Sequence, residues 1–196
     1  MFSAIEVSRY FLFKAHENGS EMTNMKLQKL LYYSQVLYLP FFREPLFGDE
    51  IQAWEHGPVC PNVYHEYKSF GKSSLPTVSI AEVRGFDAET IDVLDKVWDI
   101  YGVLSAFQLK DMSHSEKPWI NARGDLAPGE PSNSVVQVSD MESLGEDIID
   151  SIEKNNPDLS RDIEEAITSV MEDDTIDVLD PHKTYEWLWE ICNNED

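Results

Sequence analysis

The chain predicts a mainly α-helical fold with a small β element, arranged as a compact helical N-terminal domain followed by an acidic helical C-terminal extension. Three observations lead there. Apolar residues recur at three-and-four spacing along most of residues 1–125, the pattern of helices that bury one face. One stretch, residues 50–55, alternates polar and apolar side chains with the period of two that a half-buried strand requires. Acidic residues crowd into the last third of the chain, where further apolar stripes at helical spacing appear.

The first helix covers residues 3–17, where Ile5, Val7, Phe11, Leu12 and Ala15 share a face and Asn18-Gly19 ends it. Thr23 is a good N-cap for a second helix that runs to Leu39 and is stopped by Pro40. On it Leu27, Leu30, Leu31, Ser34, Leu37 and Tyr38 form the apolar face, with Lys26, Lys29, Tyr33 and Gln35 around the edges. The strand at 50–55 finds a β-branched counterpart in Thr77-Val78-Ser79-Ile80, and the two are expected to pair. Pro61 opens a short third helix, to Tyr67 or Phe70, that Gly71 closes.

Asp87 caps a fourth helix reaching Tyr101, with Ile91, Leu94, Val97 or Trp98 and Tyr101 on one side and Gly102 as its stop. Ser105-Ala106-Phe107-Gln108 has the form of a capping box for a fifth helix ending near Ser113, and residues 114–123 pack behind it. Residues 124–134, rich in Gly, Pro, Ser and Asn, read as a linker. Beyond it lie three stripes: Leu144, Ile148 and Ile152; Ile163, Ala166, Ile167, Val170 and Met171; and Tyr185, Leu188, Trp189 and Cys192. The expected division is a domain at 1–125 and an acidic extension at 126–196.

A hydrophobic fraction of 42% over 196 residues supplies a real core. The net charge of -22 is unevenly placed: residues 1–125 carry 12 Lys+Arg against 17 Asp+Glu, a net of -5, and residues 126–196 carry 3 against 20, a net of -17. Such a surface repels nucleic acid and anionic lipid and steers basic partners toward itself. The charge therefore argues against direct nucleic-acid binding. Cys60 and Cys192 cannot make a multi-bridge framework and suit a reducing compartment. With no basic, apolar leader and no run of the ~18 apolar residues a span needs, the expectation is a cytoplasmic protein with no membrane partner.

No catalytic, cofactor or metal site is expected. His56, His65 and His114 sit in none of the spacings that hold zinc. His114-Ser115-Glu116 lies in a block without a Gly-x-Ser-x-Gly elbow, and residues so close in sequence seldom converge on one substrate. Lys26, Lys29 and Tyr33 instead offer a mixed cationic and aromatic edge to a partner. Trp54, held beside a Gly-Pro turn, is either a pin of the fold or an anchor for a partner. Tyr185, Trp187 and Trp189 supply apolar area within the acidic extension, which fits a partner with a basic surface.

Three blocks draw these residues together: Lys26-Leu27-Gln28-Lys29-Leu30-Leu31-Tyr32-Tyr33 with Gln35; Ala53-Trp54-Glu55-His56-Gly57-Pro58-Val59 leading to Tyr64; and His114-Ser115-Glu116-Lys117-Pro118-Trp119. In this order and spacing they resemble the Panacea domain of SocA-like antitoxins over residues 3–123. The resemblance implies a mainly helical domain with a small β element, no enzymatic activity, and neutralisation of a cognate toxin encoded beside it by direct protein contact. It also implies that Lys26, Gln28, Lys29, Tyr33, Trp54, His56, Pro58, Tyr64, His114, Lys117 and Trp119 occupy motif positions, as partner contacts or as fold determinants. Two alternatives stand beside occlusion of the toxin. Some relatives act as adaptors that deliver a toxin to an AAA+ protease, and a prophage or phage-defence protein of this acidity could mimic nucleic acid and inhibit a host nucleic-acid enzyme.

Overall fold

The computed structural model describes residues 1–155 apart from Arg84 and Pro128. The expected stripes at residues 163–171 and 185–192, and with them Tyr185, Trp187 and Trp189, lie outside the described residues. The first helix, α1 (Ala4–Glu17), starts where Ser3 and Glu6 cap each other: the Ser3 hydroxyl accepts from the Glu6 amide, and the Glu6 carboxylate accepts from the Ser3 amide at 2.8 Å. That arrangement satisfies two amide donors that a helix start otherwise leaves open. Asp49 accepts from the Ala4 amide at 2.9 Å, tying the loop before the sheet to the same helix end.

The second helix, α2 (Asn24–Phe42), is the axis of the fold, and every residue from 26 to 39 is buried. It packs against α1, against α3 (Pro61–Tyr67), α4 (Ala88–Tyr101) and α5 (Ala106–His114), and against one strand of the sheet. Pro40 does not stop it. A proline late in a helix forfeits only its bond back to the residue four earlier, and α2 runs on to Phe42, closing at Arg43 in a left-handed conformation. The carbonyl that Pro40 leaves free, that of Val36, lies against Gly145, where an added Cβ would come within 2.1 Å of it. Only glycine lets α7 (Val138–Asn155) pass so close.

The sheet corrects the expected pairing. The strand β1 (Gln52–Trp54) pairs antiparallel not with 77–80 but with β2 (Gly57–Val59), joined by Glu55 and His56. A two-residue turn closes at far smaller entropic cost than a long loop, and Gly57 at φ 95° gives the backbone the turn demands. On its other edge β1 takes residues 134–136: Ala53 donates to Ser134 at 2.8 Å and Val136 to Ile51 at 2.8 Å. Residues 77–79 form no strand, and Ser79 instead caps a 3₁₀ turn at Ile80–Glu82.

The other elements stand close to expectation. The third helix continues as a 3₁₀ turn to Phe70, Asp87 caps α4, and Ser105 with Gln108 forms the capping box of α5. A sixth helix, α6 (Lys117–Arg123), follows, with Gly124 at its end. Residues 1–150 make one compact unit, and the second, Ser151–Asp196, is described only as far as residue 155. Val136 and Met141 lie in the core, with Leu144 and Ile148 packed on it. The first unit thus runs past residue 125 and takes in Leu144 and Ile148 of the first acidic stripe.

Candidate partner-binding site

The polar residues of the first motif point inward, which corrects the expectation that Lys26, Lys29 and Tyr33 face a partner. Because α2 is surrounded, its edges are interior too, and each polar group there must find a mate. Lys26 donates to the Gly102 carbonyl at the end of α4, with its ammonium 5.9 Å from the Trp98 ring. Gln28 accepts from the Cys60 amide at 2.8 Å and donates to Asn24. Gln35 accepts from the Leu46 amide at 3.1 Å. Lys29, 1% exposed, donates to the Pro58 carbonyl at 2.9 Å. Burial, with Lys110 nearby, brings its ammonium down to about 7.

Gly57 is where this wiring meets the sheet. A Cβ there would stand 2.8 Å from Cε and Nζ of Lys29 and from Oγ of Ser113. The motif Trp54-Glu55-His56-Gly57-Pro58-Val59 therefore needs its glycine twice over, for the left-handed φ and for the lysine that lies against it. Pro58, which has no N–H to offer a sheet, contributes its carbonyl to Lys29.

The third motif closes on the first through Glu116. Its carboxylate accepts from the Tyr32 hydroxyl at 2.8 Å and from the Tyr33 hydroxyl at 2.9 Å. The Tyr33 ring stacks on Tyr101 at 3.9 Å and 8°. Burial raises the Glu116 carboxyl above its ordinary range, and the two phenols only partly oppose this. Burial and the carboxylate likewise push the Tyr32 and Tyr33 hydroxyls well above theirs.

Outside this buried frame, the remaining motif residues gather around the hairpin. The Trp119 indole donates to the Trp54 carbonyl at 2.9 Å, and its ring stacks on His114 at 4.2 Å and 12°. Trp54 meets Tyr64 edge to face at 4.9 Å, and His65 lies beside both. These rings are half-buried or exposed, with His56 exposed at the hairpin turn and Lys117 exposed at the start of α6. Burial first, then Lys110 and Lys29, holds the His114 imidazole below its ordinary range, and its Nε2 is buried without a hydrogen-bond partner among the described residues. The structure thus brings together Trp54, Tyr64, His114 and Trp119, with His56 and Lys117 at the edge, and separates them from Lys26, Lys29 and Tyr33 beneath.

Arg123 was not among the residues singled out, yet it ties this patch down. Its guanidinium donates to the carbonyls of Ala53 at 3.3 Å, Ala127 at 3.2 Å and Glu130 at 2.9 Å, and lies 5.0 Å from the Trp119 ring. A helix-ending arginine carries no special mark in a sequence. Glu116 did leave a signal: two adjacent tyrosines on a buried helix need an acceptor for their hydroxyls.

Chemically, the patch offers apolar ring area, ring edges and a few polar groups on a rigid backing. Among the described residues no group of three or more His, Cys, Asp or Glu could hold a metal ion. Cys60 is buried and its thiol is pushed up to about 11 by that burial. Among the described residues no helix is long and apolar enough to cross a membrane.

Residues 27–120 match the family described as antitoxin SocA-like, Panacea domain. Over this stretch the chain is similar to SocA-like Panacea domains. Antitoxin SocA of Caulobacter vibrioides (strain NA1000 / CB15N) is 31% identical over 124 residues, which cover 58% of this chain and 66% of that protein. The chain thus spans just under two thirds of the length of the curated relative it matches. No solved structure matches the chain. The family match begins inside α2 and ends inside α6, so it holds Gln28, Lys29, Tyr32, Tyr33 and Glu116 of the polar frame and the aromatic patch mounted on it.

Proposed function

We propose that this protein is an antitoxin that neutralises a cognate toxin by direct binding, with the aromatic patch around the β1–β2 hairpin as its contact surface. The observation that carries the reading is the set of half-buried rings of Trp54, Tyr64, His114 and Trp119, held by the Trp119 indole's bond to the Trp54 carbonyl and by ring contacts, on a chain similar to an antitoxin family. Tryptophan and tyrosine dominate the energetics of protein contacts because they bury much area at little cost in rotamer freedom. Rings already held in place lose little more on binding. The reading is of a binding protein rather than an enzyme, acting in the cytoplasm. The acidic segment after residue 125, net -17 from 3 Lys+Arg and 20 Asp+Glu, adds long-range attraction for a toxin with a basic surface and sets partner specificity.

The test is co-expression with the gene that lies beside it, scored by growth rescue and co-purification in strains with and without AAA+ proteases. Rescue with a protease-independent complex, lost in Trp54→Ala and Trp119→Ala, is the expected result. Rescue that needs the protease would make the protein an adaptor instead. Absence of both rescue and complex would overturn the antitoxin reading.

A further inference from the structure

We infer that Glu116 is a positioning residue of the partner-facing surface: its half-buried carboxylate bolts the start of α6 to α2 and thereby sets where Trp119, and with it Trp54, stands. The functional half of this inference rests on the antitoxin reading above. The geometry is that of a clamp. Glu116 occupies the N-cap position of α6, where a side chain would ordinarily turn back to accept from the helix's own amides, yet it makes no such bond. It turns inward instead, and each carboxylate oxygen takes one phenol of α2, Oε2 that of Tyr32 and Oε1 that of Tyr33.

The backbone on either side is short and committed. The Ser115 amide donates to Met112 at 3.0 Å, closing α5, and the Ile120 amide donates to Glu116 at 3.1 Å, opening α6. Pro118 between them is buried. Three residues after the clamp comes Trp119, whose indole reaches Trp54 and whose ring rests on His114, itself at the end of α5. A displacement at Glu116 therefore passes, over three residues, into Trp119 and through its indole bond into Trp54, both half-buried. Tyr33 anchors the other side of the clamp, since its ring is stacked on Tyr101 of α4.

A carboxylate is a costly way to join two helices. Taking an ion out of water is expensive, and an apolar contact of equal volume often serves stability as well or better. What two carboxylate oxygens supply, and an apolar group does not, is a fixed direction to two donors at once. That distinguishes positioning from mere cohesion, and it makes the two separable by experiment. Glu116→Gln keeps the size and removes the charge, leaving one acceptor oxygen for two phenols.

The experiment uses the full chain, with 15N-labelled tryptophan indoles assigned by single Trp→Phe variants. In Glu116→Gln the Trp119 indole resonance should move by more than its linewidth while that of Trp98, which sits on α4, stays. The unfolding transition should remain cooperative. Affinity for the toxin encoded beside the gene should fall about tenfold. Tyr33→Phe, which keeps the stack on Tyr101 and removes one donor, should move the same Trp119 resonance by less. A Leu94→Ala variant, which loosens the core at α4, controls for general destabilisation and should leave the Trp119 resonance in place.

An unmoved Trp119 resonance in Glu116→Gln would overturn the inference, as would a matching shift in Leu94→Ala. A moved resonance with unchanged toxin affinity would overturn its functional half. If the wild-type chain binds no toxin at all, the antitoxin reading fails, while the Trp119 resonance still decides whether Glu116 positions the patch.

Discussion

Lys29→Met should make the protein more stable at neutral and acidic pH and remove a pH dependence that the wild type carries. In the fold the Lys29 ammonium titrates at about 7, against 10.5 for the free group, because it is wholly buried and faces Lys110. The folded-state value is the lower one, so the unfolded chain binds the extra proton between these limits, and stability rises with pH across them. That contribution is fully present above 10.5 and is lost as the pH falls through 7. At 1.36 kcal/mol per tenfold change in proton activity, the interval from 7 to 10.5 sets a ceiling of ~5 kcal/mol.

Methionine matches the length of the lysine stem and removes the charge, but forfeits the 2.9 Å bond to the Pro58 carbonyl, at a cost of about 1 kcal/mol. The variant should therefore exceed the wild type by up to ~4 kcal/mol at mildly acidic pH and fall about 1 kcal/mol below it in strong base. Urea unfolding from mildly acidic pH to ~9.5 measures this. The gap between the two proteins should close by ~3 kcal/mol over that range. Parallel stability curves would show that Lys29 is not buried as a neutral amine, and would refute the reasoning.

Gly57→Ala meets both a φ of 95° and a Cβ position 2.8 Å from the Lys29 side chain, so it should lose more than the 1–3 kcal/mol or so of backbone strain alone. Gly19→Ala, at φ 60° with nothing within 4 Å among the described residues, should lose only about 1 kcal/mol in the same denaturation series. Gly145→Ala drives a methyl group into the Val36 carbonyl, 2.1 Å away, and should cost about 1–3 kcal/mol or displace α7, visible as a lower melting temperature. Arg123→Ala removes the guanidinium from the Ala53, Ala127 and Glu130 carbonyls, of which Ala127 keeps the Glu130 amide as a donor. A loss of about 2–4 kcal/mol and faster amide exchange at residues 127–130 are expected. Burial raises the Glu116 carboxyl, so its protonation favours the fold. That contribution is full below the ordinary carboxylate range and fades as the pH rises through the raised value, and Glu116→Gln should flatten that part of the stability profile.

The local signals of the sequence carried most of the helices. Ser3, Thr23, Asp87 and Ser105 each cap the helix whose start they mark, because a cap depends on three or four neighbouring residues. Two features resisted such reading for a common reason. Whether Pro40 ends α2 depends on what lies against the carbonyl it frees, and that is Gly145, a hundred residues on. The partner of β1 depends on a comparison of loop costs that β-propensity alone does not contain, since Pro58 sits poorly in a strand until Lys29 claims its carbonyl. The candidate site divides in the same way. Trp54, Tyr64, His114 and Trp119 were legible as aromatic residues near turns and helix ends. Lys26, Lys29 and Tyr33 were misplaced because a charged residue at the edge of an apolar stripe ordinarily faces water.

That misplacement changes where specificity should be sought. The three motif blocks are not three patches of one surface. The first is an interior set of donors and phenols, three of which reach into the other two: Lys29 to the Pro58 carbonyl in the second block, Tyr32 and Tyr33 to the Glu116 carboxylate in the third. These bonds hold the hairpin and α6 at fixed distances from α2, and the exposed rings follow. A change at Lys29, Tyr33 or Glu116 should therefore weaken binding of every partner alike, through the shape of the patch. A change at His56 or Lys117, which are exposed and bear no part of the frame, should instead discriminate between partners. Affinities of both variant classes for two different toxins would separate these roles: uniform losses from the exposed pair, or selective losses from the buried set, would contradict the division of labour.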